Sequence, residues 1–385
     1  MRHSVTLYDR SNAARIPWPD TIEGRRAKAY LQPMLDRGTH TYIANARTEL
    51  VIAVIDRDII VPCTVNDAEY DNSYVCSPYS HYVRYAKEEL SMLRMPLAEK
   101  LLSALLSGIG GLFRLSRFNR VVHANNWLLS TNLYPSMTAS QCTALCETLR
   151  RAYPSHAIVF RSLNRTVNAA LLDALVACGG RAVASRQIYL LGPSDAEFGD
   201  AKARWLLKRD YGLLDKHGYA IMAGADMPDS WVPRIMELYN LLYLEKYSYE
   251  NPQLSETFLR TALRDGTLEI YGLHADGRLD AVLGYYRLNG VMTTPLFGYD
   301  IGLSQDRGLY RMLSAVLLRL AQANGHLLHE SSGAAQFKRN RGARADLEYS
   351  AVFDKHLPWH RRWCWVLLER LLNGIGVPLM QRLKL

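Results

Sequence analysis

The part of the chain best suited to chemistry is a turn between a strand and a helix, reading Gln305-Asp306-Arg307-Gly308-Leu309-Tyr310-Arg311. The first N–H groups of a helix have no partner within the helix, and the helix dipole favours negative charge there. We therefore predict a phosphate-binding loop, which a pyrophosphate-bearing donor such as coenzyme A fits. A purely structural turn is the alternative. The residues assigned to this donor site are Gln305, Arg307, Gly308, Tyr310 and Arg311.

The elements that position this turn follow one another from Val291 to Asp354 as strand, turn, helix, strand, helix and strand. The strand VMTTPLFGYD enters the turn, and the helix YRMLSAVLLRLAQANG leaves it. The next strand ends in HESSG, a short helix contains FKR, and the last strand is DLEYSAVFD. Upstream, Ala275-Asp276-Gly277-Arg278 is typical of a tight turn between two alternating strands.

A related succession occupies the first half of the chain. The strand VVHANNWLLSTNLYP precedes the helix SMTASQCTALCETLRRAYP, for which Thr138 or Ser140 is the expected cap. A strand, a helix and a strand follow, and matching elements lie about 165 to 170 residues apart. This spacing indicates duplicated domains. We predict one domain at 1–193 without a phosphate loop, one at 194–354 with the donor site, and a basic C-terminal helix at 355–385.

Composition limits the classes of protein and of partner. The chain has 385 residues, 49% hydrophobic residues and a net charge of +9, which favours anionic partners such as phosphorylated cofactors, acidic carrier proteins or anionic lipid. The six cysteines form no CxxC and no zinc pattern, so we predict no metal. The start MRHSVTLYDRSN lacks a secretory apolar core, and no window reaches the ~18–20 apolar residues that span a bilayer. These features predict a cytoplasmic protein.

Two short segments repeat closely, LLSALLSGIG at 101–110 and LLERLLNGIG at 367–376. Both predict a leucine-rich helix that stops at Gly-Ile-Gly. From Lys355 onward the chain carries six Lys or Arg residues against one acid, a net charge of +5, together with three of the seven tryptophans. One interpretation is a hydrophobic pair that closes the two domains against each other. The other is an interfacial helix that meets a lipid surface or guides an acyl chain, with a peripheral position at the inner membrane surface.

The order of strands and helices over residues 229–354 resembles the GCN5-related N-acetyltransferase (GNAT) superfamily, and the double-domain branch with the peptidoglycan aminoacyl transferases most of all. Residues 40–192 resemble a more diverged copy. The family's phosphate loop is usually Q/R-x-x-G-x-G/A. Gln305, Arg307 and Gly308 fit it, whereas Tyr310 stands where a small residue is expected. Phe337 occupies the place nearest to the family's usual thiolate-protonating tyrosine. That role would pass to Tyr310, Tyr299 or Ser332, or would be unnecessary.

The resemblance implies a fold class and a set of roles. The fold is α/β, with two tandem GNAT-like domains, each a mixed, mostly antiparallel central sheet flanked by helices. The two central parallel strands splay apart, a backbone N–H of the strand at 293–300 holds the thioester oxygen, and the base lies at the strand ends. The catalytic candidates are Glu330, His329, Tyr299 and Glu269. The substrate-binding candidates are Glu245, Ser331 and Ser332.

Several of these residues also have a structural interpretation. His329 alternates with apolar neighbours, as a packed histidine would. Glu330 could cap the following helix, and Glu245 lies in an amphipathic, tyrosine-rich segment that could simply pack. Lys338, Arg339 and Arg341 could clamp a phosphate, but a solvated basic helix face is the more common meaning of such a run.

We predict an N-acyltransferase that moves an acyl group, long-chain in one interpretation, from an acyl thioester to a primary amine of an amino acid, peptide or small metabolite. The donor is a coenzyme A thioester or the phosphopantetheine of an acidic acyl carrier protein. The alternatives are a peptidoglycan-type transferase that uses aminoacyl-tRNA, for which no long coiled-coil insertion is evident, and a non-catalytic lipid- or carrier-binding module of the same fold. Specific nucleic-acid binding is not expected, because no helix-turn-helix or zinc pattern occurs.

Overall fold

The computed structural model describes residues 3–90, 95–193 and 200–383. The described residues form two compact units. Unit 1 comprises Met1–Ser185, Ser248–Gln253 and Tyr349–Leu379, and unit 2 comprises Arg186–Tyr247, Leu254–Glu348 and Met380–Leu385. The predicted domain limits at residues 193 and 354 remain predictions.

Twelve strands lie among the described residues: β1 Val5–Tyr8, β2 Glu49–Ile55, β3 Ile59–Asn66, β4 Val121–Ala124, β5 Ala157–Asn164, β6 Arg181–Leu191, β7 Ala220–Ala223, β8 Glu269–Ala275, β9 Arg278–Leu288, β10 Val291–Tyr299, β11 Leu327–His329 and β12 Arg344–Phe353. The α-helices of the same part of the chain are α1 Ile22–Arg37, α2 Ala86–Glu89, α3 Pro96–Leu115, α4 Ala139–Ala152, α5 Arg165–Ala177, α6 Ala201–Tyr211, α7 Leu213–His217, α8 Val232–Asn240, α9 Glu256–Asp265, α10 Leu309–Ala323, α11 Ala335–Arg339, α12 Trp359–Leu371 and α13 Val377–Leu383.

In unit 1, β1 to β5 are neighbours in chain order. The first three pairings are antiparallel, and β4 and β5 are parallel, with Val121 opposite Ala157. The α4 helix connects the two parallel strands, as a parallel pair requires a crossover. Its apolar side, which includes Cys142, Leu145 and Leu149, packs on the strand residues of one buried core.

In unit 2 the strand order is β6, β11, β10, β9, β8 and β7. Again one pair is parallel, β10 with β11, and the other pairs are antiparallel. Here α10 forms the crossover, and its buried residues Met312, Leu313 and Val316 pack on the sheet in a second core. Each unit thus has a mostly antiparallel, mixed sheet with flanking helices, which confirms the predicted fold class.

The predicted order from Val291 to Asp354 is confirmed element by element, from β10 through α10, β11 and α11 to β12. Two local predictions are wrong. The strand predicted from Val121 to Pro135 ends at Ala124, because Asn125 and Leu128 adopt left-handed backbone angles (φ 54° and 58°). The expected helix stops at Gly-Ile-Gly do not occur either.

The α3 helix continues through Gly108 and Gly110 to Leu115, and the chain after α12 continues through Gly376 as a π-helix, Leu372–Gly376, into α13. A glycine costs a helix interior only about 1 kcal/mol relative to alanine. Burial of Ile109 and Phe113 in a third core, shared with Trp363, Leu367 and Leu372, outweighs that cost.

Candidate donor site and strand splay

The predicted phosphate-binding turn is a short 3₁₀ helix, Gln305–Arg307, closed by its own backbone. The Arg307 N–H donates to the Ser304 carbonyl at 3.1 Å, and the Gly308 N–H donates to the Gln305 carbonyl at 3.0 Å. Gly308 is the N-cap residue of α10, with φ 72°, and no side chain caps the helix. The start of α10 is therefore left open by the protein itself, as an anion site requires.

Two arginines lie beside this open helix start. The Arg311 guanidinium folds back over Gly308, so that a Cβ built on that glycine would lie 2.8 Å from Nη2 and 2.9 Å from Nε. Within the part of the chain that the structure describes, Arg311 makes no hydrogen bond and no salt bridge. Arg307 is exposed, and its Nη1 donates to the Tyr219 hydroxyl at 3.3 Å, which donates in turn to Asp280 Oδ2 at 2.6 Å. Arg307 is thus held in place by Tyr219, whereas Arg311 is unpaired in this part of the chain.

The equivalent helix start in unit 1 is closed. Thr138 caps α4, as predicted, in a reciprocal capping box with Gln141. The Gln141 Nε2 also donates to Asp56 Oδ2 at 3.0 Å, and His3 Nδ1 lies 2.7 Å from the same oxygen. Hydrogen bonds from Gln141 and His3 lower the pKa of Asp56 to about 2. The side chains of Thr138 and Gln141 thus close the helix start that is open in α10.

Tyr310 and Phe337, the two departures from the family pattern, pack against each other. Their ring centroids are 4.7 Å apart, and Tyr310 also contacts Phe297 and Tyr299 at 5.8 and 5.9 Å. Phe337 lies under the Arg341 guanidinium at 3.3 Å. Burial raises the pKa of Tyr310 far above its ordinary value, so this phenol stays protonated at neutral pH.

The two parallel strands of unit 2 separate where the resemblance places the thioester. Their pairing ends at Thr293 and His329, and β10 then shifts its register against β9 between Thr293 and Leu296. Thr294 Oγ1 is buried in this bulge and has no hydrogen-bond partner among the described residues. Pro295 has no N–H, so Thr294 and Leu296 are the residues that can offer an amide here.

His329 is buried, with 2% of its surface exposed. Its Nδ1 accepts a hydrogen bond from the Ser331 N–H at 3.1 Å, so the ring proton sits on Nε2, which lies 4.0 Å from Glu348 Oε2. Burial, with help from Arg186 and Lys338, lowers the pKa of His329 to about 3. The ring therefore stays neutral, in the environment of a packed histidine, and a role as base remains a prediction.

Glu330 has a different environment. It is half-buried, and its N–H donates to the Tyr189 carbonyl at 2.9 Å. Its carboxylate makes no hydrogen bond or ion pair within the described ranges. Burial raises its pKa above the usual 4.5, although Lys338 and Arg341 oppose the shift. The following helix, α11, has Ala334 as its N-cap residue and no side-chain cap, so the capping alternative for Glu330 is not realised.

Lys338 does not belong to a solvated basic face, and that expectation is wrong for it. The residue is 7% exposed, and its ammonium donates to the carbonyl oxygens of Glu330 at 2.6 Å and Ser332 at 2.9 Å. Burial lowers its pKa to about 8. Arg341 is buried too and is bound to Asp210, at 2.9 Å for Nε. Because Lys338 and Arg341 bind groups of unit 2 itself, neither is available to clamp a phosphate.

The other predicted residues are placed as follows. Glu269 accepts hydrogen bonds from the Tyr285 hydroxyl at 2.6 Å and from Arg287 Nε at 2.7 Å, so both of its oxygens are engaged. The Tyr299 hydroxyl accepts from Lys246 Nζ at 3.2 Å. Glu245 lies on a π-helix, Leu241–Tyr247, and is exposed, as is Ser332. Ser331 is half-buried and has a left-handed backbone conformation (φ 59°).

Sequence patterns did not reveal the Tyr219–Asp280 support of Arg307, the buried role of Lys338, or Thr294 at the splay. Of these three features, only Thr294 at the splay could have been found from the sequence, because a proline inside a strand pattern, here Pro295, marks a bulge or an edge. Among the described residues, no cluster of three or more His, Cys, Asp or Glu side chains could hold a metal ion. None of the helices in those ranges has the length and apolar character needed to cross a bilayer.

Comparison with known proteins adds information on the fold. No protein-family model matches the chain, and no curated protein matches it. A conserved protein of unknown function from Bacteroides thetaiotaomicron VPI-5482 is similar over 91% of this chain and 100% of its own length, with 10% identity and a TM-score of 0.50. An L-PGS from Bacillus licheniformis is similar over 60% of this chain and 78% of its own, with 14% identity and a TM-score of 0.45. FemX is similar over 60% of this chain and 79% of its own, with 9% identity and a TM-score of 0.43.

Proposed function

We propose that this protein is an N-acyltransferase that carries an acyl thioester at the start of α10 and transfers the acyl group to a primary amine. One observation carries the proposal: α10 begins without a side-chain cap and with an unpaired guanidinium, Arg311, and it follows β10, whose pairing with β11 ends at Thr293. A helix start of this kind favours phosphate, and a splayed strand pair offers backbone amides to a carbonyl oxygen.

In the proposed complex the donor phosphates meet the first N–H groups of α10 and the guanidinium groups of Arg307 and Arg311. The thioester carbonyl receives a hydrogen bond from the amide of Thr294 or Leu296. A coenzyme A thioester and the phosphopantetheine of an acyl carrier protein both satisfy this arrangement. The acceptor is an amine of an amino acid, a peptide or a small metabolite.

Glu330 is the residue we propose as base. Its carboxylate is unpaired and its raised pKa suits the removal of a proton from an ammonium group. The freed amine attacks the thioester carbon, the amide bond forms, and the carbon–sulfur bond breaks. The departing thiolate takes a proton from Tyr299, the proposed source because it is half-buried and lies at the end of β10. The second proton that the nitrogen loses as the amide forms returns Tyr299 to its neutral form.

The packing of Tyr310 on Phe337 favours a second candidate, a non-catalytic module that binds an acyl carrier or lipid. A tyrosine at the thiolate position is replaced by Phe337, and Tyr310 is held in an aromatic cluster. The aminoacyl-tRNA alternative receives less support, since α10, with 15 residues, is the longest helix of unit 2 within the described ranges.

The test is a free-thiol assay with acyl-CoA of graded chain length and a panel of primary amines. Wild-type protein should release thiol only when an amine is present. Arg311→Gln should raise the KM for the donor roughly 10- to 100-fold, since a hydrogen bond to a charged group contributes about 1.5–3 kcal/mol. The matched control is Arg344→Gln, which removes an exposed cation without a partner in the described ranges.

The outcomes separate the candidates. A rise in melting temperature with coenzyme A but no thiol release in any combination would favour the non-catalytic module. Release with acyl-carrier-protein thioesters alone would identify the carrier as the donor. Equal KM values for wild type, Arg311→Gln and Arg344→Gln would contradict the donor site.

A further inference from the structure

The α3 helix of unit 1 has two apolar faces. The inner face packs in a buried core, where Phe113 lies 6.1 Å from Trp363 between ring centroids and Ile109 contacts the same cluster. The repeat segment in α12 supplies Leu367 and Leu372 to that core. The two repeated leucine-rich segments therefore pack together within unit 1, which accounts for one side of each helix.

The outer face of α3 is apolar and exposed. Its leucines are spaced by three, four or seven residues, so they lie on one side of the helix. Their exposed fractions range from 50% to 81%, and the leucines are Leu97, Leu101, Leu105, Leu112 and Leu115. Ala104 and Gly108 fall on the same side and are exposed too. At 100° per residue the seven positions occupy an arc of roughly 100° that contains no charged residue.

Such a surface is uncommon on a protein that remains free in water. Removing a leucine side chain from water is favourable, so five exposed leucines along one helix leave a large favourable free energy unused. Contiguous apolar patches of this kind mark interaction sites. Because α3 lacks the apolar length to cross a bilayer, any lipid contact would be in the plane of the surface.

The charges beside the stripe favour an anionic surface. Lys100 and Arg117, near the two ends of α3, are exposed and have no ion-pair partner among the described residues. Arg114 is exposed as well, with its guanidinium stacked 5.0 Å from the Tyr70 ring. The helix contains one acid, Glu99, which accepts a hydrogen bond from the Met95 N–H at 3.2 Å. A second copy of this chain would place these cations against like charges, whereas anionic headgroups neutralise them.

We propose that α3 is an interfacial helix that docks unit 1 onto an anionic phospholipid bilayer through its outer leucine stripe. The leucines enter the boundary between headgroups and acyl chains, and Lys100 and Arg117 meet the lipid phosphates. This docking is independent of the transfer chemistry proposed above, and it would hold for a catalytic protein and for a binding module.

The test is co-sedimentation of the full chain with vesicles of phosphatidylcholine alone or of phosphatidylcholine mixed with phosphatidylglycerol. Wild-type protein should bind the mixed vesicles, bind the neutral ones at least tenfold more weakly, and lose affinity as salt is added. The triple variant Leu101→Ser, Leu105→Ser, Leu112→Ser should bind the mixed vesicles at least tenfold more weakly. A matched control, Ile22→Ser with Val176→Ser, removes two exposed apolar side chains of other helices in unit 1 and should bind as wild type does.

Light scattering on the same proteins tests the alternative that a second copy of this chain binds the leucine stripe. A wild-type dimer that the triple variant converts to a monomer, without vesicle binding by either, would overturn the proposal in favour of a second copy. Equal vesicle binding by wild type and a folded triple variant, or no vesicle binding by wild type, would overturn it as well. Circular dichroism verifies that the variants are folded.

Discussion

Glu330 differs from Glu269, the other carboxylate proposed as a base, in having no hydrogen-bond or ion-pair partner for its side chain within the described ranges. Glu269 is engaged by Tyr285 and Arg287, whereas the Glu330 carboxylate has no partner in the described ranges and lies where β11 leaves β10. The buried ammonium of Lys338 holds the adjacent carbonyl oxygens and so fixes the segment that carries Glu330. This combination of a fixed backbone and an unused carboxylate is suited to a general base.

We expect Glu330→Gln to lower kcat by about 10² to 10⁴ with little change in the KM of the donor, because a base acts on the acceptor and not on the phosphates. For wild type, kcat/KM should rise with pH, since the base is active when ionised. Its midpoint should lie above 4.5, because burial raises the pKa of Glu330. The measurement is a pH profile of the thiol assay.

Glu269→Gln is the internal comparison. With Arg287 and Tyr285 on its two oxygens, it should affect the fold of β8 and β9 more than the pH profile. If the rise of kcat/KM with pH persists in Glu330→Gln and disappears in Glu269→Gln, the base is Glu269 and not Glu330.

The sequence placed Glu330 and His329 correctly at a strand end, but it could not separate them. That distinction depends on burial and on neighbours distant in the chain, such as Tyr189 and Arg186. The same holds for Lys338, since a Lys-Arg-Asn-Arg run is typical of a solvated surface and only the tertiary fold places one of its members under three carbonyl groups.

At the scale of elements, the junction of β10 and α10 depends on one glycine. Gly308 adopts φ 72°, and a Cβ there would meet the Arg311 guanidinium and, at 2.9 Å, the Leu213 side chain. Gly308→Ala should cost about 1–2 kcal/mol of unfolding free energy from the left-handed backbone alone. It should also displace Arg311 and weaken the binding of coenzyme A.

Gly325, just beyond the other end of α10, is the matched control. It also has a left-handed backbone (φ 62°), yet no atom lies within 4 Å of its Cβ position. Gly325→Ala should therefore destabilise the fold by a similar amount and leave coenzyme A affinity unchanged. Equal affinity in the two variants, measured by calorimetry after unfolding curves are compared, would mean that the turn is only structural.

The order of elements was predictable because its determinants are local: a helix cap at Thr138, a turn at Asp276-Gly277, and apolar residues at helical or strand spacing. The predictions that were wrong concern features that depend on tertiary packing. The apolar packing of α3 against α12 carries α3, and the chain that follows α12, through glycines that would end an isolated helix. The π-helix Leu241–Tyr247 has an apolar pattern that an ordinary helix would share.

At the scale of the whole molecule, the two units repeat one arrangement of strands and helices but differ at the start of the crossover helix. In unit 1 that start is capped by Thr138 and Gln141, and the Gln141 side chain also donates to Asp56. In unit 2 it is uncapped and faces cationic side chains. The similar order of elements in the two halves was visible in the sequence, and so was the missing glycine in the first half. The hydrogen bond from Gln141 to Asp56 depends on the tertiary fold and was not visible.

Titration calorimetry of the full chain with coenzyme A distinguishes one donor site per chain from two. We predict one coenzyme A per chain, with binding weakened at least tenfold in Arg311→Gln and unchanged in Arg344→Gln. Two equivalent sites per chain, or a single site that is indifferent to Arg311→Gln, would contradict this prediction.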